Sequence, residues 1–414
     1  MAQSSNTTQI SGASGERRRD LDWLRVLAFG LLLFFHTAVL FKAQGIPDIL
    51  NDEPSPALGA FVAFSHQFRL SLLFLVSGMG VRFALKRRSG PAYLRERSRR
   101  LLLPLLFGVA VVVPPMIYLE KHYDGQFSGS FSAFYAEYFT SGVYPAGHLS
   151  WHHYWFIAYL FLFCLLSWPL FRHWLSDAGR PRLAALVTRL AHGRRIYLVC
   201  LALIGVELAL RPAFPGFRDL VSDWASFSHW FIVFVAGFVI ASDTRLLDRC
   251  SELRRLSLAL AATGSAVLFW RYFDYAASEF VVARELTLPN LVDFIAFSAV
   301  RMIAVWAWLL TCVGFAARYL NRPGAALDYL NAAVYPFFCL HLPLIVAAAY
   351  IVLPLDLPIP AKYLLIVAGA AASTLLLYEA VVLRIPLLGI VLGARTTTHE
   401  HRPQRARPAS LHRS

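Results

Sequence analysis

Residues 20–41 read DLDWLRVLAFGLLLFFHTAVLF, and from Trp23 onward the run has the apolar length of a membrane span, about 20 residues. It nonetheless carries Arg25 near one end and His36 deep in the apolar part. A central Arg or Lys costs roughly 3 kcal/mol even on insertion scales, so both groups need a reason. At 3.6 residues per turn, the steps from Arg25 to His36 make close to three turns, which puts both on one side of a helix roughly 16 Å apart. Asp22, one turn earlier, shares that face. One stripe thus holds a carboxylate and a guanidinium at its start and an imidazole further in, and an aqueous or polar channel along it is the economical explanation. The plainer alternative is a packed histidine bonded to a neighbouring helix, with Asp22 and Arg25 as an interfacial ion pair.

The composition extends this reading to the whole chain. Of 414 residues, 57% are hydrophobic, 14% aromatic and 15% charged, with mean hydropathy +0.54. That is a polytopic membrane protein and no soluble domain. Ten apolar runs are expected to cross the bilayer, near 23–42, 57–84, 101–119, 152–171, 196–213, 225–241, 257–275, 291–317, 329–353 and 363–383. The stretch 17–42 has the basic start of a signal peptide but runs too long and lacks a small-residue cleavage site, so it is read as an uncleaved first span. With the N-terminus inside, thirty of the 39 Lys and Arg residues fall in cytoplasmic segments, seven fall outside, and Arg69 and Arg301 lie within spans. This split places both termini in the cytoplasm. It also accounts for the net charge of +14 and the pI near 9.8 without nucleic acid, since no basic patch is interleaved with stacking aromatics. Residues 1–16 read as a disordered cytoplasmic tail, 17–393 as the membrane domain, and 394–414 as a basic disordered cytoplasmic tail. The outward loop 120–150 is rich in Tyr and Phe, which suits a lid at the membrane interface or stacking against sugar rings.

Ionisable residues within spans are several: His66 and Arg69, His152 and His153, Arg301, His341 and Glu379. Buried ionisable groups in such number face one another around a functional cavity. A histidine can serve as the general base that activates a hydroxyl for acyl transfer, and arginine recognises phosphate or carboxylate. A proton-coupled transporter or exporter of an anionic or acylated solute would use the same residue types. The cytoplasmic cluster Arg95, Arg97, Arg99 and Arg100 suits the phosphates of a coenzyme A donor, or simply marks topology. Arg69 and Trp155 are candidates for stabilising an oxyanion. Cys164, Cys200, Cys250, Cys312 and Cys339 are scattered, four in apolar runs and Cys250 in a basic loop, and read as packing residues. His148, His152 and His153 have near-metal spacing without a Cys or carboxylate, so no metal and no bound cofactor is expected.

Taken together, RRRDLDWLRVLAFGLLLFFHTAVLF, FSHQFRLSLLFLVSG, YLRERSRRLLLPLLFG, HHYWFIAYLF, YLNAAVYPFFCLHLPLIV and LLYEAVVLRIPLLGIVLG, in this order, resemble the membrane acyltransferase family 3. Within it the chain looks most like the glucans biosynthesis protein C branch, associated with succinylation of periplasmic glucans. The resemblance implies a ten-helix multi-pass enzyme of the bacterial inner membrane. It would move an acyl group from cytoplasmic acyl-CoA to a periplasmic hydroxyl, of a carbohydrate or a small molecule. It makes His36 the match to the essential histidine and Arg25, Arg97 and Arg100 the matches to functional arginines. The family commonly has Leu where Tyr154 stands before Trp155, which leaves His152 and His153 both open as the matched histidine.

Overall fold

The computed structural model describes residues 18–43, 49–86, 90–216, 218–271 and 288–394. The expected tails lie outside the described residues apart from residue 394. Among the described residues the elements in chain order are α1 (Arg19–Val39), α2 (Pro56–His66), α3 (Arg69–Lys86), α4 (Gly90–Tyr123), α5 (Phe131–Glu137), α6 (Trp155–Leu175), α7 (Arg180–Ala191), α8 (Val199–Leu210), α9 (Trp224–Ile240), α10 (Thr244–Arg271), α11 (Leu288–Tyr319), α12 (Ala325–Val352), α13 (Ile359–Leu377) and α14 (Pro386–Val391). The strand-like pairing among them is one isolated bridge between Val143 and Leu149. Seven helical segments are long and apolar enough to cross a bilayer, and α9 with α10, bent by 109°, makes an eighth if taken as one span. The chain is an all-α polytopic membrane protein. Helices cover most of the described residues of the ten expected stretches, 272–275 lying outside the described residues, but α8 has only 12 residues, about 18 Å, and is short for a crossing.

Local chemistry explains the elements that matter most. α1 has Asp20 and Asp22 in its first turn, where the helix dipole favours acidic groups, and Arg18 just before it forks onto Asp20 at 3.0 and 2.6 Å. α2 begins with Pro56 after Ser55, whose hydroxyl caps the Leu58 amide at 3.4 Å. The stretch 57–84, expected as one helix, is two, interrupted at Gln67 and Phe68. Non-helical backbone at membrane depth is tolerated where protein buries it, and transporters use such breaks to build sites. Here the break sets His66 at the end of α2 and Arg69 at the start of α3.

Small residues let the helices approach closely. α3 and α9 cross where Gly78 meets the Phe234 carbonyl and Gly237 meets the Leu75 carbonyl; an added Cβ would lie 1.9 and 2.1 Å from those oxygens. Prolines within helices free carbonyls for other partners, because a proline has no N–H to return to the carbonyl four residues back. Pro114 leaves the Ala110 carbonyl to the Tyr135 hydroxyl at 2.9 Å, and Pro343 leaves the Cys339 carbonyl free. Cys250, expected in a loop, is fully buried on α10, because the helix starts at Thr244 and absorbs that basic segment. The five cysteines are free thiols.

Candidate functional site

α1 and α12 lie side by side and run in the same direction, and three rungs join them. At the start of α1, the Arg25 guanidinium donates to the Asn331 Oδ1 at 3.1 Å and reaches the Asp22 carboxylate at 3.4 Å. Asn331 closes the ring by donating to Asp22 at 3.1 Å. Midway, the Phe29 and Phe338 rings meet edge to face at 5.6 Å between centroids. Further along, the His36 and His341 rings stand 5.4 Å apart. Helical phase therefore does place Asp22, Arg25 and His36 on one stripe, as expected.

The stripe is not an open polar channel. Phe29, buried on that same face, packs with Phe338 and Phe156, whose rings lie 5.6 Å from each other, and the three form an aromatic plug between Arg25 and His36. The phase that aligns positions 25 and 36 also aligns Phe29, and its side chain fills the space. Beside the plug, three buried polar atoms have no hydrogen-bond partner among the described residues: the Tyr335 hydroxyl, His341 Nε2 and His153 Nδ1. An unpaired buried polar atom costs about 1–3 kcal/mol, so these three atoms are the polar groups beside the plug with hydrogen-bonding capacity to spare.

Around His36 the ionisable neighbours acting electrostatically on it are Arg69, His341, His153 and Arg218. Arg69, 1% exposed, lays its guanidinium over the Phe35 ring at 3.2 Å, and His66 stacks on that ring from 6.1 Å. A desolvated guanidinium over an aromatic face gains about 2 kcal/mol or more, which fixes Arg69 beside the imidazoles. His341 is fully buried, and its Nδ1 lies 2.8 Å from the Phe338 carbonyl. A carbonyl can only accept, so Nδ1 carries the proton and Nε2 presents a lone pair. His153 Nε2 and the Tyr154 hydroxyl both donate to the Cys339 carbonyl that Pro343 leaves free, each at 3.2 Å. The ring next to His341, at 5.6 Å, is that of His153; His152 sits beside Tyr144 instead. Although three imidazoles converge, no group of three or more His, Cys, Asp or Glu among the described residues is spaced to hold a metal ion.

Trp155, 5% exposed, packs on Trp230 at 5.1 Å, and the Arg218 guanidinium lies 4.9 Å over its ring. Arg218 comes from the loop between α8 and α9, held by Asp223, which accepts from the Arg218 amide at 2.9 Å and from the Tyr159 hydroxyl. Burial raises the Asp223 carboxyl above its ordinary range. Residues 124–151, with α5 among them, fold over the end of α4 as a cap, with Phe127, Phe131 and Phe134 packed around the Tyr118 ring. Phe134 and Tyr138 are fully buried, the Tyr138 hydroxyl donates to the Ser150 carbonyl at 3.0 Å, and burial pushes its pKa up to about 12. His148 packs 4.5 Å from the Phe134 ring, and burial, then the Lys121 charge, holds its pKa below the ordinary value.

The remaining expected residues divide. Arg97, over the Tyr93 ring at 5.1 Å, and Arg100, 3.4 Å from Glu96, act electrostatically on Tyr335. Tyr335 stands one turn beyond Asn331 on the same face of α12, so that face carries Asn331, bonded to Arg25, and then Tyr335, within the electrostatic reach of Arg97 and Arg100. Glu379 does not join the imidazoles. It lies in the π-helical turn Tyr378–Val382 that ends α13, is exposed, and bonds the Tyr329 hydroxyl, while Tyr378 takes the inward position. The buried face of α13 runs through Ile366, Ala370, Thr374 and Tyr378 in steps of four, and Glu379 lies one position, about 100°, off it. Arg301 also stands apart, in a second polar cluster with Glu207. Arg218 and Asn331 are site neighbours that sequence reasoning missed. Arg218 sits in an irregular loop, and Asn331 is uncharged, so neither stands out in an apolar run.

Residues 18–379 match the acyltransferase domain family, nearly the whole described chain. No curated protein and no solved structure matches. The chain belongs to that acyltransferase family, which decides for an enzyme over a transporter.

Proposed function

With membership of the acyltransferase family as the premise, we propose that this chain is an O-acyltransferase of the bacterial inner membrane with His36 as general base. It takes its acyl group from cytoplasmic acyl-CoA and delivers it to a hydroxyl on the periplasmic side, of a carbohydrate such as a glucan. The observation that carries the reading is the convergence of His36, His341 and His153 beside the Arg69 and Arg218 guanidiniums, in a family whose chemistry is acyl transfer.

The donor's phosphates bind at Arg25, Arg97 and Arg100, and its pantetheine arm displaces the aromatic plug and hydrogen-bonds the orphaned Tyr335 hydroxyl on the way. At the far end the acceptor O–H bond breaks as its proton passes to the His36 imidazole. The freed oxygen bonds to the thioester carbonyl carbon, the C–S bond breaks, and the proton returns to the coenzyme A thiolate. His341 Nε2, with its lone pair fixed by the bond at Nδ1, supports the His36 imidazolium. Arg69 and Arg218 face the charge that develops on the carbonyl oxygen. The cap, rich in Tyr and Phe, receives the acceptor.

Mass spectrometry of surface glycans from a strain lacking the protein and from its parent tests this reading. A mass difference equal to one acyl group per modified residue is expected, restored by the wild-type chain and not by His36→Ala. Identical glycans, with the protein present in the parent membrane, would contradict it.

A further inference from the structure

A second buried polar cluster lies between α3, α8, α9 and α11. The Glu207 carboxylate, 1% exposed, is forked by Arg211 at 2.9 and 3.1 Å and reached by Arg301 at 3.0 Å. Arg211 also donates to the Ser226 hydroxyl at 3.1 Å. That hydroxyl, having accepted, keeps its own O–H to donate elsewhere. The Ser71 hydroxyl and His229 Nε2 are bonded at 2.9 Å. Arg211, Arg301, Ser71, Ser226 and His229 line a cavity of about 30 Å³.

Two guanidiniums face one carboxylate, Arg211 buried and Arg301 with 29% of its side chain exposed, and no carboxylate among the described residues lines the cavity to balance the excess positive charge. A water molecule fits the volume but cannot balance the charge. A nucleotide phosphate or a sugar balances or bonds but does not fit. We propose that this cavity binds one small monovalent anion, of the size of a halide or of a single carboxylate group, and that the anion pins the four helices together. Its donors are the two guanidiniums and the Ser226 hydroxyl.

Thermal unfolding of the full-length protein in lipid nanodiscs tests this, in sodium gluconate, sodium chloride and sodium acetate at one pH and ionic strength. Gluconate is too large for the cavity and serves as the reference. A saturable rise in Tm of at least about 2 °C in chloride is expected, as for any ligand that binds the folded state alone. An equal rise in acetate shows that a carboxylate end is accepted too, and a rise in chloride alone restricts the site to a halide; either supports the proposal. Arg301→Met, which removes the excess cation, abolishes the rise. Should that variant fail to fold, Ser226→Ala, which keeps every charge, reduces the apparent halide affinity several-fold. Equal Tm in all three salts, or a full rise in both variants, would overturn the proposal.

Discussion

Which nitrogen of His341 carries the proton follows from one contact, the Phe338 carbonyl at 2.8 Å from Nδ1. With Nε2 left as a lone pair, the ring is suited to take charge from His36 and unsuited to donate to it. His341→Ala is therefore expected to lower kcat by about 10–100-fold with KM for the donor little changed, while His36→Ala loses about 10²–10⁴-fold or more, the range of a general base. Steady-state release of coenzyme A by the purified variants checks both. Arg25 and His36 were legible in the sequence because ionisable groups in an apolar run stand out and helical phase relates them. Arg218 was not legible, since its role depends on a loop tethered by Asp223, which is a tertiary fact. Glu379 misled for the opposite reason. It stands out as a charge in an apolar run, but the buried face of α13 runs through Ile366, Ala370, Thr374 and Tyr378 and leaves Glu379 one position off it.

Single residues in the helices decide how the site is assembled. Pro343 frees the carbonyl that holds both His153 and Tyr154. Pro343→Ala supplies a competing N–H, so kcat should fall several-fold while Tm holds or rises, a split that mere misfolding would not give. At the α3–α9 crossing, Gly78→Ala places a methyl against the Phe234 carbonyl and is expected to destabilise by about 1–3 kcal/mol. Gly30→Ala, with open space around the added atom, should change stability by no more than about 1 kcal/mol. Thermal unfolding in nanodiscs measures the pair. The apolar periods revealed these helices, but not the interruption between α2 and α3. No Pro or Gly announces it at Gln67 and Phe68, so it is set by packing alone. The aromatic plug is similar: Phe29 was visible on the stripe, but its partners come from α6 and α12.

At the scale of the whole molecule, the family and the helical class were readable from composition and motif order, whereas the count of crossings was not, because α8 is short and α9 and α10 are sharply bent. The cap adds a pH response. His148 has its pKa lowered in the folded cap, so its contribution to stability is present above the ordinary value of about 6.5 and is lost as pH falls through the folded value. Limited proteolysis of the cap should accelerate on acidification below about pH 6, and His148→Gln should flatten that dependence. The most direct test of the central claim is coenzyme A release from acyl-CoA by the purified full-length chain in nanodiscs, with a carbohydrate extract as acceptor, for wild type and His36→Gln of matched thermal stability. The wild type is expected to release thiol in an acceptor-dependent manner, with His36→Gln slower by at least about 100-fold. Equal acceptor-dependent release by the two would show that His36 is not the base and would contradict the account.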